Sequence, residues 1–152
     1  MASADEVLQA PHVLEYTYTR SVGPVIGAFL GGLRQGRVLG ATGSDGRVVV
    51  PPTEYDPLTG EPTGDLVEVG PAGVVSTWAW TDRPTPDQPL GRPFAWALVV
   101  LDGATTGLLH VVDAGSPEAM ASGMRVRARF LPEAQRRGHV LDIECFVPEA
   151  AS

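Results

Sequence analysis

Three arginines alternate with smaller or apolar residues in the segment 124–131. Arg125, Arg127 and Arg129 are each two positions apart. Side chains at this spacing share one face of a β-strand, so the three guanidinium groups would project together. Guanidinium groups bind phosphates and carboxylates through paired hydrogen bonds, which makes this face a candidate anion site. The alternative is a solvated outer face with the intervening residues in the core.

Three tryptophans lie in two predicted neighbouring strands. Trp78 and Trp80 share a strand face, and Trp96 lies in the next strand. Large rings of this kind stack ligands or anchor protein partners at interfaces. Ordinary core packing is the alternative interpretation.

The residues most often used in catalysis do not form a recognisable set. His110 and Asp113 are three apart in a predicted strand and would point to opposite faces, which is poor geometry for a catalytic pair or a metal site. Cys145 is in phase with apolar neighbours, which predicts a buried, inert thiol. His12 and His139 have no evident carboxylate or cysteine partner. An autonomous enzyme is therefore poorly supported.

Composition excludes several classes of function. The net charge is −7, and the 11 basic residues are all arginine. Without lysine the chain cannot form a Schiff base, and its acidity disfavours nucleic-acid binding. No stretch of ~18 apolar residues predicts a membrane span. The single cysteine excludes an internal disulfide and is compatible with the cytoplasm, which is the location we expect.

One helix followed by strands is predicted along the chain. Gly23-Pro24 would begin the helix, and Gly36 would end it. Its apolar face would hold Ile26, Phe29, Leu30 and Leu33. We predict one long or bent strand over 66–81, a short helix capped by Ser116, and further strands over 94–101, 107–113, 124–131 and 139–147.

The segment 36–60 resembles a zinc ribbon that lacks its zinc ligands. A ribbon uses two Cys-x2-Cys pairs, because four thiolates close a tetrahedral site. The two pair positions hold Ala41 and Ser44, then Asp56 and Thr59. Alanine cannot bind zinc and the hydroxyl residues are poor ligands, so we expect no stoichiometric zinc.

The order of these elements resembles the acyl-CoA-associated OB-fold family, also called DUF35. That family has a helix ending in GL-x-x-G, a ribbon with a Pro-Pro pair, and a barrel whose first strand resembles V-x-S-W-T. The corresponding residues here are Gly32-Leu33-Arg34-Gln35-Gly36, Pro51-Pro52, Asp56-Pro57-Leu58-Thr59-Gly60 and Val74-Val75-Ser76-Thr77-Trp78-Ala79-Trp80-Thr81. The resemblance covers roughly residues 14–148.

The fold implied by this resemblance is mainly β. It has an N-terminal helix, a degenerate, rubredoxin-like zinc ribbon without metal, and a five-stranded OB-fold barrel. We expect a flexible leader or inter-domain linker at 1–13, the helical segment at 14–35, the ribbon at 36–64, the barrel at 65–148 and a tail at 149–152.

The function implied by the resemblance is that of a non-catalytic accessory subunit or domain. It would bind and stabilise a thiolase-fold, lipid-transfer-protein-like retro-aldolase, in an expected heterotetramer with no membrane association. The complex would act on acyl-CoA, in particular β-hydroxyacyl-CoA from steroid side chains. A fused or associated hot-dog-fold enoyl-CoA hydratase is also implied. The coenzyme A thioester would be the substrate of the complex, and this chain would bind no cofactor.

The expected contacts with the partner or with acyl-CoA follow from position alone. They are Tyr16, Tyr18, Arg20, Phe29, Arg47, Pro51, Pro52, Arg125, Arg127 and Arg129. The alternative function is a stand-alone OB-fold module that binds a small ligand or single-stranded nucleic acid. The absence of lysine and the acidic charge argue against the nucleic-acid form of this alternative.

Overall fold

A closed five-stranded barrel forms the larger part of the computed structural model, which describes residues 10–150. The barrel order is β4-β5-β6-β8-β7, and the single parallel pairing joins β6 to β8. This arrangement confirms the predicted OB-like fold. The barrel strands are β4 (Ala72–Thr81), β5 (Phe94–Leu101), β6 (Gly107–Val112), β7 (Arg125–Phe130) and β8 (Ile143–Pro148).

A small three-stranded sheet and one helix precede the barrel. The helix α1 spans Pro24–Arg34, and the sheet has the order β2-β1-β3. Its strands are β1 (Val38–Thr42), β2 (Val48–Val49) and β3 (Leu66–Val69). Residues 1–9 of the expected leader and residues 151–152 of the expected tail lie outside the described part of the chain.

Helix, small sheet and barrel share one hydrophobic core. Phe29 and Leu33 of α1 and Val38 of β1 belong to the same buried cluster as Val99 and Phe146 of the barrel. Strand β5 contributes through strict alternation: its side chains at 95, 97, 99 and 101 are fully buried in this core. The helix is therefore fixed to the barrel by packing, since its own length of 11 residues is marginal in isolation.

The helix ends agree with the sequence prediction, with one difference on its apolar face. Gly23 is the N-cap residue with Pro24 in the first turn, and Gly36 adopts a φ of +77° just after the last turn. Ile26, however, is 36% exposed rather than buried. The apolar face is wider than the area that the core covers.

Two predicted strand boundaries are wrong. The strand predicted over 66–81 is divided at Gly70–Pro71, so that β3 pairs with β1 and only β4 enters the barrel. The strand predicted from residue 139 begins at Ile143 instead. His139 starts a 3-10 helix over Val140–Asp142, where its side chain and that of Asp142 form a reciprocal capping box.

The short helix after β6 is a 3-10 helix over Pro117–Ala119. Ser116 occupies its N-cap position but its side chain makes no capping hydrogen bond there. Among residues 10–150, no helix is long and apolar enough to cross a membrane.

Candidate functional site

A buried carboxylate joins the two turns that would hold metal in a zinc ribbon. Asp56 is 4% exposed. Its Oδ2 accepts a hydrogen bond from the backbone N–H of Ser44 at 2.6 Å, and its Oδ1 accepts one from that of Leu58 at 2.8 Å. Its backbone carbonyl accepts another from Gly60 at 2.8 Å. The side chain of Asp56 thus links both turns through its two carboxylate oxygens.

The environment of Asp56 favours its ionised form. The hydrogen bonds from the backbone of Ser44 and then of Leu58 lower the pKa of the carboxyl below its usual value. Ala41 is buried, while Thr59 is exposed and its hydroxyl accepts only a hydrogen bond from Glu61. Within residues 10–150 no cluster of three or more His, Cys, Asp or Glu residues could hold a metal ion. The absence of zinc remains a prediction.

The three alternating arginines of β7, called here the arginine ladder (Arg125, Arg127 and Arg129), share one solvent-facing side of the barrel. Arg125 forms a bidentate pair with Asp102, at 2.6 and 2.7 Å. Arg127 contacts Glu149 at 2.8 Å.

The third arginine of the ladder is also paired. Arg129 contacts Glu144 at 2.8 Å and Asp113 at 3.4 Å. Asp113 also pairs with Arg92, and the hydrogen bond from Arg92 lowers the pKa of the Asp113 carboxyl. Each guanidinium of the ladder is therefore neutralised by a carboxylate of the same chain, as in a solvated outer face.

The buried imidazole and the buried thiol are poorly placed for catalysis. His110 is 3% exposed, with Nε2 3.3 Å from the carbonyl oxygen of Val140 and Nδ1 without a partner. Burial lowers the pKa of His110 and keeps its ring neutral. Cys145 is fully buried, and burial raises the pKa of its thiol to about 11. A neutral thiol inside the core is a weak nucleophile.

The tryptophans pack in two separate hydrophobic clusters of the barrel. Trp78 and Trp80 pack against the main core, whereas Trp96 packs against a smaller outer cluster and meets Phe94 edge to face at 5.4 Å. All three are partly buried. Beside Trp96 the outer wall carries Leu98, which is 37% exposed, and Leu109, which is 58% exposed.

A long apolar segment before α1 is exposed throughout. Residues 10–22 have no assigned helix or strand, and every one of them is exposed. Tyr16 and Tyr18 are 76% and 80% exposed. The segment, called here the N-terminal apolar segment (residues 13–22), also exposes Val13, Leu14 and Val22.

The remaining expected contact residues have different environments. Arg20 is exposed within the N-terminal apolar segment, and Pro51 is exposed after β2. Phe29 is 5% exposed and lies in the core, and Pro52 is also buried. Arg47 pairs with Asp45 in the turn before β2. Tyr16, Tyr18 and Arg20 thus lie together on one exposed segment, apart from the arginine ladder in sequence and in fold.

Two features were missed by sequence reasoning. Glu54 caps the N-terminus of α1 by accepting hydrogen bonds from the backbone of Val25 at 3.2 Å and of Ile26 at 2.9 Å. A cleft between the end of α1 and the loop before β8 is lined by Arg34, Arg136 and Arg137. Neither feature has a local sequence pattern, since both depend on segments brought together by the fold.

Residues of the barrel region match a described family, and the chain resembles two solved structures over 70% and 86% of its length. Residues 66–131 match the family of the C-terminal OB-fold domain of ChsH2. A protein of unknown function from the DUF35 family of Sulfolobus solfataricus is 24% identical with a TM-score of 0.57, over 70% of this chain and 77% of that chain.

The second similar structure is described as the Ltp2-ChsH2(DUF35) aldolase. It is 20% identical with a TM-score of 0.61, and the alignment covers 86% of this chain and 98% of that chain. At these identities the two structural similarities establish the fold. No curated protein matches the chain significantly.

Proposed function

We propose that this chain, whose barrel region matches the family of the C-terminal OB-fold domain of ChsH2 over residues 66–131, is a non-catalytic subunit of an aldolase complex. The observation that carries the proposal is the N-terminal apolar segment. It exposes two tyrosines and three aliphatic side chains that contact no core of this chain. Exposed apolar side chains that are concentrated in one segment are typical of protein–protein interfaces, where tyrosine is enriched among the residues that dominate binding.

The similarity to the aldolase chain supports the same proposal. It extends over nearly the whole of that chain, including the regions before the barrel. The chemistry of the chain agrees, because the imidazole of His110 and the thiol of Cys145 are enclosed in the core. The reacting groups of the complex would therefore come from the partner.

The finer features of the complex are part of the proposal. The partner is a thiolase-fold aldolase, and the complex is a heterotetramer. Its substrate is a coenzyme A thioester, specifically a β-hydroxyacyl-CoA with a steroid side chain. A hot-dog-fold enoyl-CoA hydratase would supply this substrate, because hydration of an enoyl-CoA yields the β-hydroxyacyl group that a retro-aldolase cleaves.

Paired tyrosine substitutions test the role of the N-terminal apolar segment. In co-purification with a thiolase-fold aldolase, Tyr16→Ser with Tyr18→Ser would remove two exposed rings and should weaken the complex at least tenfold, since interface aromatics commonly contribute more than about 1.4 kcal/mol. Tyr55→Ser is the matched control, because Tyr55 is 64% exposed but lies on the ribbon. Equal binding by all three proteins would contradict this role.

A further inference from the structure

Within residues 10–150, six of the 11 arginines form ion pairs with carboxylates within 4 Å. Among the described residues, no such pair involves Arg34, Arg136 or Arg137. These three arginines border the cleft between the end of α1 and the loop before β8, called here the basic cleft. In a chain with a net charge of −7, they place three guanidinium groups without an ion-pair partner among the described residues beside one cleft.

The basic cleft consists of two adjoining cavities that share Ala134. The smaller has a volume of about 430 Å³ and is lined by Arg34, Gln35, Glu133, Ala134 and Arg136. The larger has a volume of about 800 Å³ and is lined by Leu131, Ala134, Gln135, Arg137, Gly138, His139, Leu141 and Asp142. Both volumes lie in the range of small-molecule sites.

Arg136 is held in place while its terminal nitrogens stay unpartnered. Its Nε donates to the carbonyl oxygen of Leu131 at 2.6 Å, and its guanidinium lies 5.5 Å from the centre of the Phe130 ring. Gly36 lets it approach the helix end, since a Cβ there would lie 2.9 Å from Nη1. No described residue accepts a hydrogen bond from Nη1 or Nη2. A fixed guanidinium with open donors loses little conformational entropy when it binds an anion.

The arginines of the cleft are not needed to cap the helix. The last carbonyl groups of α1 already accept backbone hydrogen bonds, from Gln35 to Gly31 and Gly32, from Gly36 to Leu33, and from Arg37 to Gly32. Satisfied carbonyl groups leave no local acceptor that would explain the position of Arg34 or Arg136.

We propose that the basic cleft binds the phosphate group of a small organic phosphate. Arg34 and Arg136 would contact the phosphate in the smaller cavity, where paired guanidinium donors match its oxygens. The organic part would lie in the larger cavity against Leu131 and Leu141, the latter 42% exposed. This proposal concerns the chain alone and does not depend on the aldolase partner.

Two carboxylates in the cleft differ in their expected effect on phosphate binding. Asp142 accepts hydrogen bonds from the backbone of Arg137, Gly138 and His139, so its carboxylate oxygens are already engaged by donors of the same chain. Glu133 lines the smaller cavity and pairs with no described arginine. Its negative charge would oppose a bound phosphate, so its removal should strengthen binding.

Titration of the isolated chain at low ionic strength, followed by amide NMR, tests the site directly. Pyrophosphate should shift the resonances of residues 34–36 and 133–137. ADP should bind more tightly and also shift Leu131 and Leu141, if the natural ligand is an organic phosphate. Equal binding of ADP and pyrophosphate without the leucine shifts would restrict recognition to a free inorganic anion and overturn the assignment of the larger cavity.

Two variants of equal charge change and a third of opposite charge change make the test specific. Arg34→Gln should weaken ADP binding about tenfold, because it removes a charge-assisted hydrogen bond. Arg83→Gln is the matched control, because Arg83 is exposed, forms no ion pair among the described residues and lies outside the cleft. It should change binding less than twofold. Glu133→Gln should strengthen binding.

Other outcomes would overturn the proposal. Equal weakening by Arg34→Gln and Arg83→Gln would indicate unspecific attraction of anions. A hexaglutamate peptide that binds the cleft while ADP and pyrophosphate do not would identify an acidic polypeptide as the occupant instead.

Discussion

At the scale of single residues, Asp56 shows how one carboxylate can join the two turns of the segment 36–64. In a zinc ribbon, the metal ion joins two turns because four thiolates coordinate it. The thiolate sulfur atoms in turn accept hydrogen bonds from backbone N–H groups. Here the carboxylate accepts the N–H groups of Ser44 and Leu58 itself. The link between the turns is therefore a set of charge-assisted hydrogen bonds, which depends on ionisation rather than on metal supply.

Neutralising Asp56 should loosen the ribbon. In Asp56→Asn the amide NH₂ group would face a backbone donor, so one of the two hydrogen bonds would be lost. We expect faster amide exchange at Ser44 and Leu58 and a lower midpoint of thermal unfolding. Asp65→Asn is the control, since the Asp65 side chain is exposed and accepts no hydrogen bond from a described residue.

The acid response of Asp56 follows from its lowered pKa. The folded carboxyl holds its proton less tightly than the unfolded one, whose pKa is about 3.9. Its contribution to stability is thus fully present above that value and is lost as the pH falls through the folded pKa. An Asp56→Asn variant that exchanges and unfolds like the wild type would contradict the proposed link.

His110 should make the barrel less stable in mild acid. Its pKa is lowered, first because burial disfavours the charged ring. Above about pH 6.5 the imidazole is neutral in both states. Below that value the unfolded chain binds a proton that the folded chain binds less readily. The free energy of unfolding therefore decreases as the pH falls.

Urea denaturation at pH 7.5 and pH 5.5 measures this effect. The decrease in unfolding free energy between the two pH values should be smaller in His110→Gln than in the wild type, because glutamine does not ionise. His12→Gln, a change at an exposed position before α1, should retain the wild-type decrease. An identical decrease in all three proteins would exclude His110 as the cause.

At the scale of elements, α1 depends on a cap that lies 28 and 29 positions away in sequence. Glu54 supplies acceptors for the N–H groups of Val25 and Ile26, since the N-cap residue Gly23 has no side chain. A negative charge at this end also interacts favourably with the helix dipole. The ribbon thus stabilises the beginning of the helix that follows the N-terminal apolar segment.

Removing this cap should destabilise α1 by about 1 kcal/mol, which is typical for the loss of a capping side chain. We expect Glu54→Ala to increase amide exchange in the helix, measured at Phe29 and Leu30. Glu61→Ala is the control, because the Glu61 side chain is exposed and bonds to no described residue. Equal amide exchange rates at Phe29 and Leu30 in the two variants would exclude Glu54 as the cap of α1.

The barrel wall requires glycine at residue 73. A Cβ at Gly73 would lie 2.5 Å from the carbonyl oxygen of Val100 and 2.8 Å from the Cα of Leu101. Both are backbone atoms of the neighbouring strand, so neither can move without disturbing the pairing of β4 with β5.

Gly73→Ala should therefore lower the free energy of unfolding by about 1–3 kcal/mol, the usual cost of overpacking. Gly91→Ala is the matched control, since a Cβ there meets nothing within 4 Å. Denaturant unfolding of the two variants gives the comparison. A loss in Gly91→Ala as large as that in Gly73→Ala would refute the steric explanation.

At the scale of the whole molecule, the sequence predicted the elements better than their connections. A continuous apolar run located β5 at Phe94–Leu101, and the apolar face between Gly23 and Gly36 located the helix, because both patterns are local. The strand prediction joined β3 to β4 although the turn dipeptide Gly70-Pro71 separates them, and only the fold shows that the two strands pair in different sheets.

The candidate sites were harder to predict for the same reason. The alternation of the arginine ladder predicted its common face, but the four paired carboxylates come from three other parts of the chain: the end of β5, the end of β6, and β8 with the residue after it. The basic cleft joins the end of α1 to the loop before β8, about one hundred residues later in the chain. Only the folded structure brings such residues together.

The central claim is that this chain functions as a subunit of an aldolase. The most direct test is size-exclusion chromatography with light scattering after co-expression with a thiolase-fold aldolase, followed by an assay for cleavage of a β-hydroxyacyl-CoA. We expect a complex with the mass of a heterotetramer that cleaves the thioester, while each chain alone does not. Separate elution of the two chains, or full activity of the aldolase without this chain, would contradict the claim.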